Sequence, residues 1–379
     1  MLNVITTKQF DSASVAVYDG NELLFEEERN LSPKMAECFK LNTIPEYVTV
    51  KITCNGEVVG EYTEQIFDKY NMPEPIQDTP TAQEIESVQD LYLAGVHVEQ
   101  YRDPAVLPDA YWKEALKRDS RHIPSLIAMA RYEYKRFAMD EALSYIEKSL
   151  ELLSRYNERP QSGEAYYVHG LILEAMGQYQ KAYDSYQKAA WAADAVAAAM
   201  TRISMLDIRN GEPEKAILHA GVALDYGRNN SLAIAVNAIA ERILGNEENV
   251  KKILGEQLKK DPLDHLSRFL ISPKALYDIM DSNPLQTCLD LTFDLAAMGR
   301  YEDIVLLLEG LFFSRKEEAL KTGLYTLGYY ARKIGRDAIS YYEKAEKAPL
   351  GKTFPFRFEE MKIYDDVVKT RGTDDAKSC

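Results

Sequence analysis

Glu164-Ala-Tyr-Tyr-Val-His-Gly-Leu-Ile-Leu-Glu-Ala-Met-Gly-Gln-Tyr-Gln-Lys-Ala-Tyr-Asp-Ser-Tyr-Gln-Lys-Ala-Ala190 decides the fold of this chain. It divides at Gly177-Gln178 into two helical stretches. Glycine accepts the left-handed backbone needed just past a helix end. Small residues (Gly170, Ala182, Ala189) alternate with large aromatic ones (Tyr179, Tyr186) on the faces that meet. A helix pair of this size cannot bury its apolar face alone and must stack on neighbours.

The pattern recurs in phase. With Ala182 as marker, Ala216 follows 34 residues later, with Gly211 at the turn, Ser204 at the crossing and Ala223 beyond. Val250 follows after another 34, with Ala238, Gly245 and the closing Asp261-Pro262. Upstream stands Ala142, with Ala130 at the crossing and an insertion expected in the loop 155–160. Tyr111-Trp-Lys-Glu-Ala115-Leu-Lys-Arg-Asp119 reads as the second helix of a pair that has lost its first. Downstream the pattern loosens: Gly299-Arg-Tyr301 marks one turn, an extra helix fits near 264–281, and Gly328, Gly335, Ala338, Tyr342 and Ala345 mark a last pair.

A period of 34 residues with these small and aromatic positions resembles the tetratricopeptide repeat, an antiparallel helix pair stacked into a right-handed α-solenoid. The resemblance implies that Gly170 and Ala182 lie where the two helices cross, at the roughly 8–10 Å of close packing. The expected architecture is therefore mainly α. Residues 1–70 form a small β-domain, 71–108 a linker and connecting helix, 109–262 the regular array, 263–365 degenerate repeats and 366–379 a flexible tail.

The β-domain is read from period two. Ser14-Val-Ala-Val-Tyr18 meets Asp19-Gly20, and Tyr47-Val-Thr-Val-Lys-Ile52 runs into Asn55-Gly56. Asn-Gly between alternating apolar runs is a strong hairpin signal. Four or five antiparallel strands are expected, a partial immunoglobulin-like sandwich whose edges need cover. Asn71 to Pro80, with three prolines, reads as a linker, and Thr81-Ala-Gln-Glu84 as a capping box opening a helix to about Leu93.

Two further stretches sharpen the resemblance: Gly95-Val-His97-Val-Glu99-Gln100-Tyr101-Arg102 and the run from Arg155 to Trp191. With Asp261-Pro-Leu-Asp264 they look like the C-terminal half of a bacterial family of unknown function that joins a mutarotase-like β-sandwich to tetratricopeptide repeats. The sugar-binding module has no counterpart here, so its chemistry does not carry over. The chain then reads as a fragment, a split gene product or a stand-alone relative.

Composition narrows the function. The 379 residues carry a formal charge of −15 with a pI near 5.0. Nucleic acid and anionic membrane need a basic footprint, which an acidic chain lacks. The four cysteines, Cys38, Cys54, Cys288 and Cys379, form no Cys-x-x-Cys pair and read as reduced thiols of a cytoplasmic protein. No apolar run reaches the length of a membrane span. Neither a phosphate-cradling glycine loop nor a nucleophile or zinc motif is present, so no enzyme, cofactor or metal is expected. His97 and Glu99, with Tyr101 and Arg102 beside them, could do acid–base work if extended backbone put them on one side, but a packing junction joining the β unit to the first helix is the simpler reading. His169 is expected to be a half-buried core histidine.

The family's groove positions, mapped onto this sequence, give Arg131, Tyr134 and Lys135, then Tyr167, Leu171 and Glu174, then Arg202, Met205 and Arg209, then Ile239 and Arg242. Several cations on one inner surface imply a peptide-binding groove for an acidic protein segment, since arginine pairs bidentately with carboxylates. Ordinary solvated helix positions are the simpler alternative. The expected function is a non-catalytic scaffold. The alternative is an accessory, non-catalytic half of a carbohydrate-active protein, whose β unit would show an exposed apolar edge. Self-association through Phe312-Phe313 or Phe354-Pro-Phe356 is a third option.

Overall fold

The computed structural model describes residues 1–41, 47–64, 79–101, 106–155, 159, 161–280, 283–314, 319–351 and 354–371. Most of the expected linker, part of the inserted loop at 155–160, Arg102 and Cys379 lie outside them.

Among the described residues the N-terminal unit has six strands rather than four or five. β2 (Phe10–Asp19), β3 (Glu22–Leu31), β5 (Val48–Cys54) and β6 (Glu57–Thr63) form an antiparallel sheet in the order β3-β2-β5-β6. β1 (Leu2–Val4) pairs with β4 (Glu37–Phe39) in a separate ribbon. Both hairpin signals form: Asp19-Gly20 joins β2 to β3, and Asn55 and Gly56, at φ 54° and 83°, turn β5 into β6. Val15, Val17, Val50, Leu31 and Phe39 make the core of this unit. Sheet edge β6 leaves Val58, Val59 and Tyr62 exposed.

Helices fill the rest. α1 (Val88–Tyr101) and α2 (Asp109–Arg118) form a complete first pair, so the sequence expectation of a lost helix is corrected. Gly95 sits where α1 crosses α2, and a Cβ there would collide with the Trp112 indole. Gly170 against Tyr186 and Gly328 against Tyr342 repeat the joint. The Thr81–Glu84 box does form, with both Thr81 N–H and Oγ1 donating to Glu84 Oε2 at 2.8 Å, but it closes a turn. α1 starts later, where Ser87 Oγ accepts from Asp90 N–H at 3.0 Å.

Four regular pairs follow this first one: α3 (Ile123–Lys135) with α4 (Met139–Ser154), α5 (Glu164–Ala175) with α6 (Tyr179–Ala189), α7 (Val196–Arg209) with α8 (Pro213–Tyr226), and α9 (Ser231–Ile243) with α10 (Glu247–Lys260). The extra helix expected near 264–281 is two short ones, α11 (His265–Ile271) and α12 (Pro273–Tyr277), broken at Ser272. α13 (Pro284–Ala297) and α14 (Tyr301–Ser314), then α15 (Lys321–Lys333) and α16 (Ile339–Lys347), continue the series. α17 (Phe358–Arg371) ends it, running past the boundary expected at 365.

Six of the described turns inside the pairs share one geometry, and one of the six departs from glycine. Gly177, Gly211, Gly245, Gly299 and Gly335 have φ of 75°, 75°, 82°, 72° and 75°. The same place after α3 holds Phe137, at φ 64°. Its N–H bonds Tyr134 O, and Ala138 N–H bonds Glu133 O, as Gly177 and Gln178 do after α5. A residue with a Cβ pays roughly 1–2 kcal/mol for this conformation.

Candidate functional site

The first helices of successive pairs line the inner face, and that face has two parts. At the N-terminal part, α1, α3 and α5 border a cleft of about 500 Å³. Its walls are Tyr92 and Val96 from α1, Ile127 and Ala128 from α3, Leu153 from the end of α4 and Ala165 from α5. Charges cross its rim in a chain. Lys135 Nζ and Arg131 Nη2 hold the two oxygens of Glu99 at 2.6 and 2.8 Å, and Arg131 Nη1 reaches Glu164 at 3.0 Å. Glu99 is thus the anchor of this chain. His97 lies on the same helix, not on extended backbone, its ring tilted against that of Tyr101 with centroids 4.5 Å apart.

The other part lies within a fold-back. The array turns back on itself, so that α13, α15 and α17 face α3, α5 and α7 across a cavity of about 260 Å³. Tyr134, Arg202 and Arg209 of the expected groove line it, as does Glu174. Glu174 takes two hydrogen bonds from Arg202, at 2.5 and 3.2 Å, and one from Tyr186 Oη at 2.8 Å. Burial works against the Arg202 charge; the Glu174 carboxylate, with Tyr186 and Tyr167, outweighs it and holds the guanidinium above its ordinary pKa. Arg209 bridges the fold-back. It donates to Ala296 O, Tyr179 Oη and Tyr301 Oη, each at 2.9 Å, with its guanidinium 4.1 Å over the Tyr179 ring.

Three groups here carry the marks of burial. The Tyr134 phenol is pushed up to about 12. The Lys362 ammonium is pulled down. The Asp294 carboxyl is pushed up to about 6, with Glu359 and Asp290 adding to the effect and Arg202 opposing it.

Leu171 also lines this cavity, whereas Tyr167 and Arg242 line neither it nor the cleft. Tyr167 packs beside Tyr186, rings 5.7 Å apart, and Arg242 donates to Leu270 O at 2.7 Å. The structure therefore gathers Arg131 with Lys135, gathers Tyr134 with Arg202 and Arg209, and leaves Arg242 outside. Asp294, Tyr301, Tyr330 and Lys362 were missed by sequence reasoning, because they reach the cavity only through the fold-back. Of the histidines, His169 is half-buried, with its pKa lowered to about 4 by burial and Nδ1 2.8 Å from Ser185 Oγ. His219 Nδ1 donates to the buried Asp207 at 2.6 Å. No group of three or more metal-ligating side chains is gathered among the described residues. Nor is any described helix long and apolar enough to cross a membrane.

Residues 123–190 match the tetratricopeptide repeat family model, which covers α3 to α6. Among solved structures, a tetratricopeptide repeat protein from Parabacteroides merdae is similar over 76% of this chain and 99% of its own, at 14% identity and a TM-score of 0.45. The MamA protein is similar over 46% of this chain and 91% of its own, at 20% identity and a TM-score of 0.38. YrrB, described as a tetratricopeptide protein with an unusual peptide-binding site, is similar over 49% and 92%, at 16% identity and 0.39. The fold is that of a helical-repeat solenoid with a small β unit. Such repeats serve generally as non-catalytic scaffolds for protein interaction.

Proposed function

We propose that this protein is a non-catalytic scaffold that holds a segment of another protein in the cleft between α1, α3 and α5. The supporting observation is the cleft itself: apolar walls from three successive pairs, with an exposed cation rim at one side. Glu164 is half-exposed on Arg131, so a carboxylate of the bound segment can take its place. That is the basis for an acidic partner, with Arg131 and Lys135 as its contacts. Arg202 and Arg209 act within the fold-back, Arg202 tying α7 to α5 and Arg209 tying α7 to Ala296 and Tyr301.

A photo-crosslinking amino acid placed at Ile127, with Leu218 on α8 as control, tests this in native extract. A protein captured at 127, absent at 218 and lost on Arg131→Glu is the expected result. The same proteins from both positions, or none, would remove the cleft as the working surface.

The exposed Val58, Val59 and Tyr62 of β6 favour a second reading, an accessory half of a carbohydrate-active protein. It expects a neighbouring gene for a mutarotase-like module whose product co-elutes with this chain and slows amide exchange in β6. Unchanged β6 exchange in the mixture would count against it.

A further inference from the structure

α17 is gripped from two sides. One face caps the array: Ile363 and Val367 are buried in the C-terminal core, and Asp366 accepts hydrogen bonds from Arg332 and from Tyr342. The other face points across the cavity. Phe358 and Lys362 stand four residues apart, so they share one side of the helix. The Phe358 ring stacks on Phe137 at 4.0 Å and 11°, and on Tyr134 at 4.9 Å and 20°. Lys362 Nζ donates to Ala175 O at 2.7 Å. Ala175 is the last residue of α5, where unpaired carbonyls attract a cation.

A cap needs only the first face. The second reaches pairs far back along the chain, and its aromatic partner is the strained Phe137, in the place where the other turns use glycine. Glycine would relax that turn, but only a ring can meet Phe358. Strain kept at a contact is a pointer to a working site.

We propose that Tyr134, Phe137 and the Ala175 carbonyl form a docking site for a helical segment bearing an aromatic residue and, four residues later, a lysine. The chain's own α17 is the resident occupant and closes the inner cavity. A segment of the same pattern in trans competes for the site. The inference rests on the inner face being the working surface, but it concerns a different place from the α1–α3–α5 cleft and is tested without it.

The test uses the full-length chain and a fluorescent synthetic peptide of residues 354–371, followed by anisotropy. A released variant carries Phe358→Ser, Lys362→Ala and Ile363→Ser, with helicity checked by circular dichroism. The peptide should bind it at least about tenfold tighter than wild type, and adding Phe137→Gly should return the affinity to the wild-type level. Equal binding by all three chains, or no effect of Phe137→Gly, overturns the proposal. Should the released variant not fold, amide exchange in the single Phe137→Gly chain decides. Exchange in 358–364 faster by about tenfold, with the rest of the array as protected as before, supports the site. Unchanged or slower exchange there overturns it. Capture at Ile127 can fail while this peptide binds, and the reverse, so the two readings fall separately.

Discussion

Arg131 and Arg202 were both expected on the inner surface, yet they live in different electrostatic worlds. Arg131 shares Glu99 with Lys135, and its side chain keeps 37% of its exposure, that of Lys135 60%. Arg202 keeps 22%, against a Glu174 that keeps 10%. The same residue type is a water-reached pair in one half and a more deeply buried tie in the other. Counting cations along a groove does not give its charge; the partners that hold them do.

Removing each anchor breaks the comparison most directly. Glu174→Ala strands the Arg202 charge inside the fold-back and should cost about 3 kcal/mol, as for one partner of a buried pair. Glu99→Ala leaves Arg131 with Glu164 and Lys135 in reach of water, and should cost under about 1 kcal/mol. Urea unfolding midpoints measure both, and equal losses would erase the distinction between the halves.

A smaller effect separates the interior by pH. Asp294 has a folded pKa near 6, above its ordinary 3.8, so the native state favours its protonated form. Stability from this group is full below pH 4 and is lost as pH rises through 6. Asp294→Asn should therefore stabilise at pH 8 by about 1–2 kcal/mol, after allowance for solvent screening, and do nothing at pH 4. His169 acts in the opposite sense. Its folded pKa, about 4, lies below the ordinary 6.5, so stability is present above 6.5 and falls as pH drops toward 4. His169→Leu should remove about 1–2 kcal/mol of acid sensitivity at pH 5. Melting temperatures across pH 4–8 check both signs. The smallest effect sharpens the open half: Lys135→Ala should leave stability within about 0.5 kcal/mol. It should also lessen the salt dependence of capture at Ile127.

The sequence displays what depends on side-chain size at close range. Gly170, Ala182 and Ala216 announce the array because a crossing admits only small residues, and Asn55-Gly56 announces a hairpin because only such a pair tolerates the turn. The Gly95–Trp112 joint obeys the same rule. It went unread because Trp112 fills the space that a tyrosine fills in later pairs, and because α1 follows a proline-rich stretch. The fold-back was illegible for a different reason. Arg209 meets Ala296 across 87 residues, and Lys362 meets Ala175 across 187. No local period encodes a contact that depends on the accumulated turn of many pairs. Phe137 was the one available sign, a large residue at a glycine position.

The fold-back also changes how the molecule bears load. An open solenoid stretches like a spring, sharing extension among its pairs. Here the Phe358 stack and the Arg209 bridge lie in parallel with that spring and take tension first. Pulled from its two ends in an optical trap, the chain is expected to yield in one low-force step before the elastic regime begins. Phe137→Gly should lower that first step and leave the later ones unchanged.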